Sequence, residues 1–277
     1  MELLIFGGLL LFGYLLDTVF DVFNHHDSAG SGDETQDNDT LNGTDGEDHL
    51  QGHGGNDLIS GFGGADLLDG GRGDDTINGG SGADLILGRQ GDDTLNGQAG
   101  DDHVYGGFGD DAVSGGTGRD ALLGGSGADV LLGGKGDDLL VGGGSQNLQT
   151  LLSTGSGSVG FTDIADGNAD SLSGGNGDDV LMLDRADTGT GGSGSDTFFV
   201  FESADQTGAA TITDFDQGVD SLNIDYKAAD YAVPPTVTVV DFSDGTGADI
   251  LLNGTLVAKV TGAQGLSAGA VTIEALA

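Results

Sequence analysis

The side chains with most chemistry to offer are aspartates, and they recur at a fixed interval. One stands at every ninth position: Asp39, Asp48, Asp57, Asp66, Asp75, Asp84, Asp93, Asp102, Asp111, Asp120, Asp129 and Asp138. A second acid directly precedes some of them, at Asp74, Asp92, Asp101, Asp110 and Asp137. Carboxylates held in register at the strand spacing of about 4.8 Å repel one another strongly. Such a stack is tolerable when cations lie between its members. A hard divalent ion taking about six to eight oxygen ligands fits a place built from aspartate and turn carbonyls, and calcium suits it better than magnesium. The alternative is a hydrated acidic surface without an ion. Random acidic loops, however, do not hold glycine and aspartate in one register through eleven consecutive copies.

The elements that position these aspartates follow from the rest of the period. Two residues after each comes an aliphatic one, from Leu41 to Leu140, and from Asp48 onward glycine lies five and two residues before each. Gly70-Gly71-Arg72-Gly73-Asp74-Asp75-Thr76-Ile77-Asn78 is one whole unit. We read it as a turn followed by a short strand. The glycines permit backbone angles that a Cβ resists. The aliphatic residue points inward between two outward neighbours, because successive strand side chains alternate faces. One unit cannot bury its single aliphatic side chain, but stacked units can, so the array is expected to coil into a solenoid.

This stretch resembles the RTX (repeats-in-toxin) family, with its Gly-Gly-x-Gly-x-Asp-x-U-x nonapeptide, over Gly43–Gly144 and in part over Gly174–Asp225. The resemblance implies a parallel β-roll with two nonapeptides per turn and several calcium ions between stacked turns. The carboxylate ligands it implies are Asp48, Asp57, Asp66, Asp75, Asp84, Asp93, Asp102, Asp111, Asp120, Asp129, Asp138, Asp179 and Asp196. The second glycine is replaced by Thr44, His53, Phe62, Arg89 and Gln98, where the turns are expected to bend differently. Asp39 lacks both glycines and reads as an opening cap.

Composition agrees. The chain has 277 residues, 57 of them glycine, and a formal net charge of −39 from 46 acids against seven Lys and Arg. Nucleic acid is excluded as a partner, because phosphate contacts need basic side chains. Self-repulsion and a thin core should leave the repeats unfolded without calcium. There is no cysteine, so metal takes the place of disulfides as the staple.

Along the chain, residues 1–23 form a hydrophobic segment, with the apolar run Leu3–Leu16 interrupted later by Asp17 and Asp21. A membrane anchor or interfacial helix through Leu3–Phe23, a hydrophobic cap on the roll, and a secretory signal are the three readings. Residues 24–38 are a polar linker in which His25 and His26 read as solvated. Residues 39–144 are the main roll, 145–167 a Ser/Gly-rich loop insertion, 168–225 a second repeat block with a cap, and 226–277 C-terminal strands. Asp179 to Asp196 is one residue short of two periods, so a deletion or bulge lies between. Asn253-Gly254 signals a hairpin. Val271–Ala277 is similar to the uncleaved C-terminal signal of RTX proteins sent through type I secretion. If two units make one turn, alternate units fall on opposite sheets. One sheet then exposes mostly polar residues such as Thr76/Asn78 and Thr94/Asn96. The other exposes Leu85/Leu87, His103/Tyr105, Ala121/Leu123 and Leu139/Val141, and is expected to be covered by the chain itself or by a protein partner.

Catalysis is not expected. Only Met1–Asn38 precedes the roll, and no His-Glu-x-x-His occurs. The one Gly-x-Ser-x-Gly match, Gly265 to Gly269, has no histidine after it and reads as a turn. The fold class expected is all-β: a parallel β-roll (β-solenoid) with a C-terminal β cap and a short N-terminal hydrophobic helix. The function expected is that of a non-catalytic, extracellular calcium-binding protein, secreted or at the cell surface of a bacterium, that folds on binding calcium after export. A calcium-dependent adhesion or matrix protein, and an accessory module of an enzyme assembly, are the alternatives.

Overall fold

The computed structural model describes residues 37–143, 167–202 and 207–276. The segment Leu3–Phe23, the histidines at 25 and 26 and nearly all of the insertion at 145–167 lie outside the described residues. Each nonapeptide forms one strand, in chain order β1 (Thr40–Asn42), β2 (His49–Gly54), β3 (Leu58–Gly63), β4 (Leu67–Arg72), β5 (Thr76–Ser81), β6 (Leu85–Gln90), β7 (Thr94–Ala99), β8 (His103–Phe108), β9 (Ala112–Thr117), β10 (Ala121–Ser126), β11 (Val130–Lys135) and β12 (Leu139–Gly143). Beyond the insertion come β13 (Ser171–Asn176), β14 (Val180–Leu183), β15 (Thr188–Ser193), β16 (Thr197–Glu202), β17 (Ala210–Ile212) and β18 (Ser221–Lys227). The chain closes with β19 (Val237–Asp241), β20 (Gly247–Leu252), β21 (Thr255–Thr261) and β22 (Thr272–Leu276).

Odd-numbered strands from β1 to β17 stack in one sheet and even-numbered strands from β2 to β18 in the other, all parallel, as expected of two units per turn. Ile59 lies on Ile77 and Ile77 on Leu95 in one sheet; Leu68 lies on Ile86 in the other. The two inward files, including Leu50, Ile59, Leu68, Ile77, Ile86, Leu95, Val104 and Val113, merge into one core between the sheets.

The insertion leaves the stacking intact. Leu131 pairs with Leu172 and Leu140 with Leu181, although these partners are 41 positions apart rather than 18. The missing residue is in the turn after β14, because Asp170 and Asp187 pair at a separation of 17. That turn, Asp184–Asp187, has no glycine, and β15 carries Gly189 where other coils carry an aliphatic residue. Leu183 fills the space instead, its Cδ1 lying 2.8 Å from where a Cβ on Gly189 would stand.

Four replacements of the second glycine do not bend their turns differently. His53, Phe62, Arg89 and Gln98 keep a positive φ of 71°, 73°, 89° and 79°, because the stacked coils on either side dictate the backbone path. Capping also falls further along the chain than the block at 168–225. Strand β21 adds to β17 and β22 to β18, while β19, β20 and β21 form an antiparallel meander. The β20–β21 turn is Asn253-Gly254, with φ of 49° and 87°, as a tight hairpin requires.

The outer face of the even sheet is apolar and, in the middle, buried. Tyr105, Leu123, Val141, Met182 and Phe201 form a second hydrophobic cluster, with Leu87, Leu139, Val180 and Phe199 packed against it. On the odd sheet, by contrast, Thr76/Asn78 and Thr94/Asn96 form a polar ladder.

Candidate metal centre

Each register aspartate caps the coil before it. The backbone N–H of Asp57 donates to Oδ1 of Asp75 (2.7 Å), that of Asp75 to Asp93 (2.8 Å), and that of Asp93 to Asp111 (2.8 Å). This column runs from Asp39 through Asp129, Asp170 and Asp187 along one flank. On the other flank the same contact links Asp48, Asp66, Asp84, Asp102, Asp120, Asp138, Asp179, Asp196 and Asp220. The residues expected as ligands thus lie in two files, one per flank, with Asp170 and Asp187 as further members of the first.

In the interior coils one carboxylate oxygen is used in this way, and the other is stranded. Oδ2 of Asp57, Asp66, Asp75, Asp84, Asp93, Asp102, Asp111, Asp120, Asp138 and Asp179 is buried with no hydrogen-bond partner, as is that of Asp39. Buried polar atoms are ordinarily paired, so a repeated exception calls for a missing partner. The first glycine of each unit shows where these oxygens point. A Cβ on Gly61 would stand 2.6 Å from the Gly79 carbonyl oxygen of the next coil and would collide with Asp66 Oδ2. At Gly133 it would meet Asp138 Oδ2 and the Gly174 carbonyl oxygen, 2.5 and 2.6 Å away. A carboxylate oxygen of one coil and a carbonyl oxygen of the next therefore converge at most interior turns. The donors are all hard oxygens, the set that suits calcium. Among the described residues no three His, Cys, Asp or Glu side chains gather around one point. The carboxylates are strung out along the roll, so backbone carbonyls must complete any coordination shell.

The electrostatics mark the same places. Burial raises the carboxyl pKa of Asp66, Asp93, Asp102 and Asp138 to about 7 and that of Asp111 to about 8. The backbone N–H each accepts opposes the shift, and neighbouring carboxylates add to it. An ion-free roll thus holds its interior carboxylates where they cannot easily stay charged.

The ends differ from the interior. Oδ2 of Asp48 accepts from both the N–H (2.5 Å) and Oγ1 (2.9 Å) of Thr44, which replaces a glycine without taking its positive φ. Oδ2 of Asp187 accepts from the Asp184 N–H (2.7 Å), and Oδ2 of Asp220 from that of Asp216 (2.8 Å). Asp196 shares the interior cradle, its Oδ2 lying where a Cβ on Gly191 would stand. The second acids do not enter the columns. Asp74, Asp92 and Asp110 form an exposed ladder in which each Oδ1 accepts the N–H one coil on, at 2.9–3.0 Å.

Ser267 lies just before a single 3-10 turn, Ala268–Ala270, that leads into β22, which is the turn expected of the Gly-x-Ser-x-Gly match.

The model of the RTX calcium-binding nonapeptide repeat (4 copies) matches residues 35–61, 60–95, 78–113, 87–122, 114–148 and 164–186. No curated protein matches this chain.

Proposed function

Because the chain belongs to the RTX calcium-binding nonapeptide repeat family, we propose that the stranded carboxylate oxygens of its two columns are the calcium ligands around which the roll folds. The protein is an extracellular-type, calcium-binding structural β-roll. In this reading Asp57, Asp66, Asp75, Asp84, Asp93, Asp102, Asp111, Asp120, Asp129, Asp138 and Asp179 supply Oδ2 to ions shared with carbonyls of the adjoining coil. Asp170 joins them across the insertion. Asp48, whose Oδ2 is held by Thr44, opens its column, and Asp196 is the last ligand before that column ends at Asp220.

The observation that carries the reading is the file of buried, partnerless Oδ2 atoms, repeated once per coil on each flank. Calcium, when bound, neutralises the stacked charge and bridges neighbouring turns. The chain's own residues hold the geometry: N–H groups orient each carboxylate, and the first glycine of each unit leaves room for it. Metal-binding free energy then becomes folding free energy. Export through a type I route, with Val271–Ala277 as the signal, follows as a proposal: the chain would travel unfolded at cytoplasmic calcium and order outside. Equilibrium dialysis of the full chain tests the ligand assignment. Several calcium ions per chain should bind, with little competition from magnesium. Uptake of one ion or none would refute it.

A second reading, a calcium-dependent adhesion or matrix protein anchored by Leu3–Phe23, draws on the apolar outer file of the even sheet. Tyr105, Leu123, Val141 and Phe201 are buried within the single chain, which weighs against an open docking surface. Membrane fractionation with and without Leu3–Phe23 separates the two.

A further inference from the structure

The one shortened coil carries a cation of its own. Arg185 stands two residues before the register residue Asp187, the place held by the stacking glycine in full-length units. In those units each such glycine packs on the carbonyl oxygen of its counterpart one coil earlier, as Gly91 does on Gly73 and Gly109 on Gly91. Gly208 packs on the Arg185 carbonyl oxygen in the same way, with φ of 101°. Arg185 therefore occupies a glycine position in the column without having the glycine's positive φ.

Its side chain is buried and reaches into the following coil. The guanidinium donates to the Gly208 carbonyl oxygen through Nε (3.1 Å) and Nη2 (2.8 Å), and to the Leu256 carbonyl oxygen through Nη2 (3.0 Å). Its Nη1 lies 3.2 Å from Oε2 of Glu202, the residue that ends β16. Tyr231 O–H donates to the other Glu202 oxygen at 3.1 Å. A carboxylate and a turn carbonyl of the next coil, with a carbonyl of β21, thus surround a positive charge; carboxylate and carbonyl oxygens are also the donor types that face the gap between interior turns. The adjoining Asp187 Oδ2 is already satisfied by protein.

We propose that Arg185 is the roll's internal substitute for calcium, closing the column of Asp57–Asp170 and fixing β15–β22 to the last coils without an ion. The proposal rests on reading the interior turns as calcium sites. A second observation supports it. Interior units place one aliphatic side chain each in the core between the sheets, whereas the C-terminal part packs Phe198, Val200, Ile212, Phe215, Ile224 and Ile250 there. That core can carry the segment while the interior coils wait for metal.

Hydrogen exchange of the full chain, followed by mass spectrometry in calcium and in chelator, tests it. In chelator, peptides from 188–276 should stay protected while those from 40–140 exchange as unfolded chain. Arg185→Met should then cut protection of 188–276 in chelator by roughly a hundredfold or more, the loss expected when one partner of a buried ion pair is removed. Glu202→Gln, which keeps the shape but not the charge, should cut it less. If chelator strips protection uniformly from the wild-type chain, the inference falls while the calcium reading stands. If protection is uniformly retained, both fall. An Arg185→Met chain as protected in chelator as wild type would also overturn it.

Discussion

At Gly88 a single hydrogen atom decides whether the coil closes. A Cβ there would stand 2.6 Å from the Gly106 carbonyl oxygen and against Asp93 Oδ2, and the residue is not among those with positive φ. Gly88→Ala thus tests crowding without backbone strain. We expect it to cost about 1–3 kcal/mol in the calcium-loaded state, as overpacking does, measured by urea denaturation. Asp93→Asn should keep the cap on the Asp75 N–H and lose the charge, so the calcium midpoint of folding should rise with little change in apo behaviour. The pH dependence follows from the same burial. The interior aspartates have folded-state pKa values raised to about 6–8, so the ion-free fold binds more protons than the unfolded chain. Its stability must fall as pH rises through that range and grow as pH falls toward about 4. In chelator, acidification from pH 8 to 5 should therefore induce β-structure, read by circular dichroism. In calcium, the same acidification should weaken binding, because protons compete for Oδ2. The aspartate register was legible from spacing alone. The closed ends were not: the Thr44 contact with Asp48 and the Asp184 contact with Asp187 depend on local turn paths that no period encodes.

The strand is a thinner element than most, with one inward aliphatic side chain between neighbours of its own kind. Leu95 is fully buried, stacked on Ile77 and Val113. Leu95→Ala should cost about 2–5 kcal/mol, the usual range for a core leucine, again by urea denaturation in calcium. Because each coil contacts only its neighbours, the loss should spread along the interior coils. The two-units-per-turn winding was implied by the resemblance to the RTX family and not by the nine-residue period itself, whereas the Asn253-Gly254 hairpin was readable from its residue types. The insertion was readable as an interruption. Its consequence, Asp129 stacking directly on Asp170, was not, since chain length between partners says nothing about their pairing. The shortened coil was visible as a 17-residue spacing. Its compensation was hidden, because Leu183 filling the gap at Gly189 and Arg185 replacing a glycine are exchanges between neighbouring positions.

For the whole molecule the governing quantity is a net charge of −39, with the register aspartates drawn up in two files along the flanks of the roll. Monovalent salt cannot relieve it at close range. The Debye length at 0.1 M is about 10 Å, roughly twice the coil spacing of about 4.8 Å. Adding 0.1–0.3 M sodium chloride in chelator should therefore fail to order the interior coils. A divalent ion seated between turns acts at contact distance and is not equivalent to screening. The far-UV circular dichroism of the full chain during a calcium titration, with magnesium as control, tests this most directly. The account predicts a weak β signal in chelator, a cooperative rise as calcium is added, little response to magnesium, and a large upward shift in melting temperature. A chelator-stripped sample as rich in β-structure and as heat-resistant as the calcium-loaded one would contradict it.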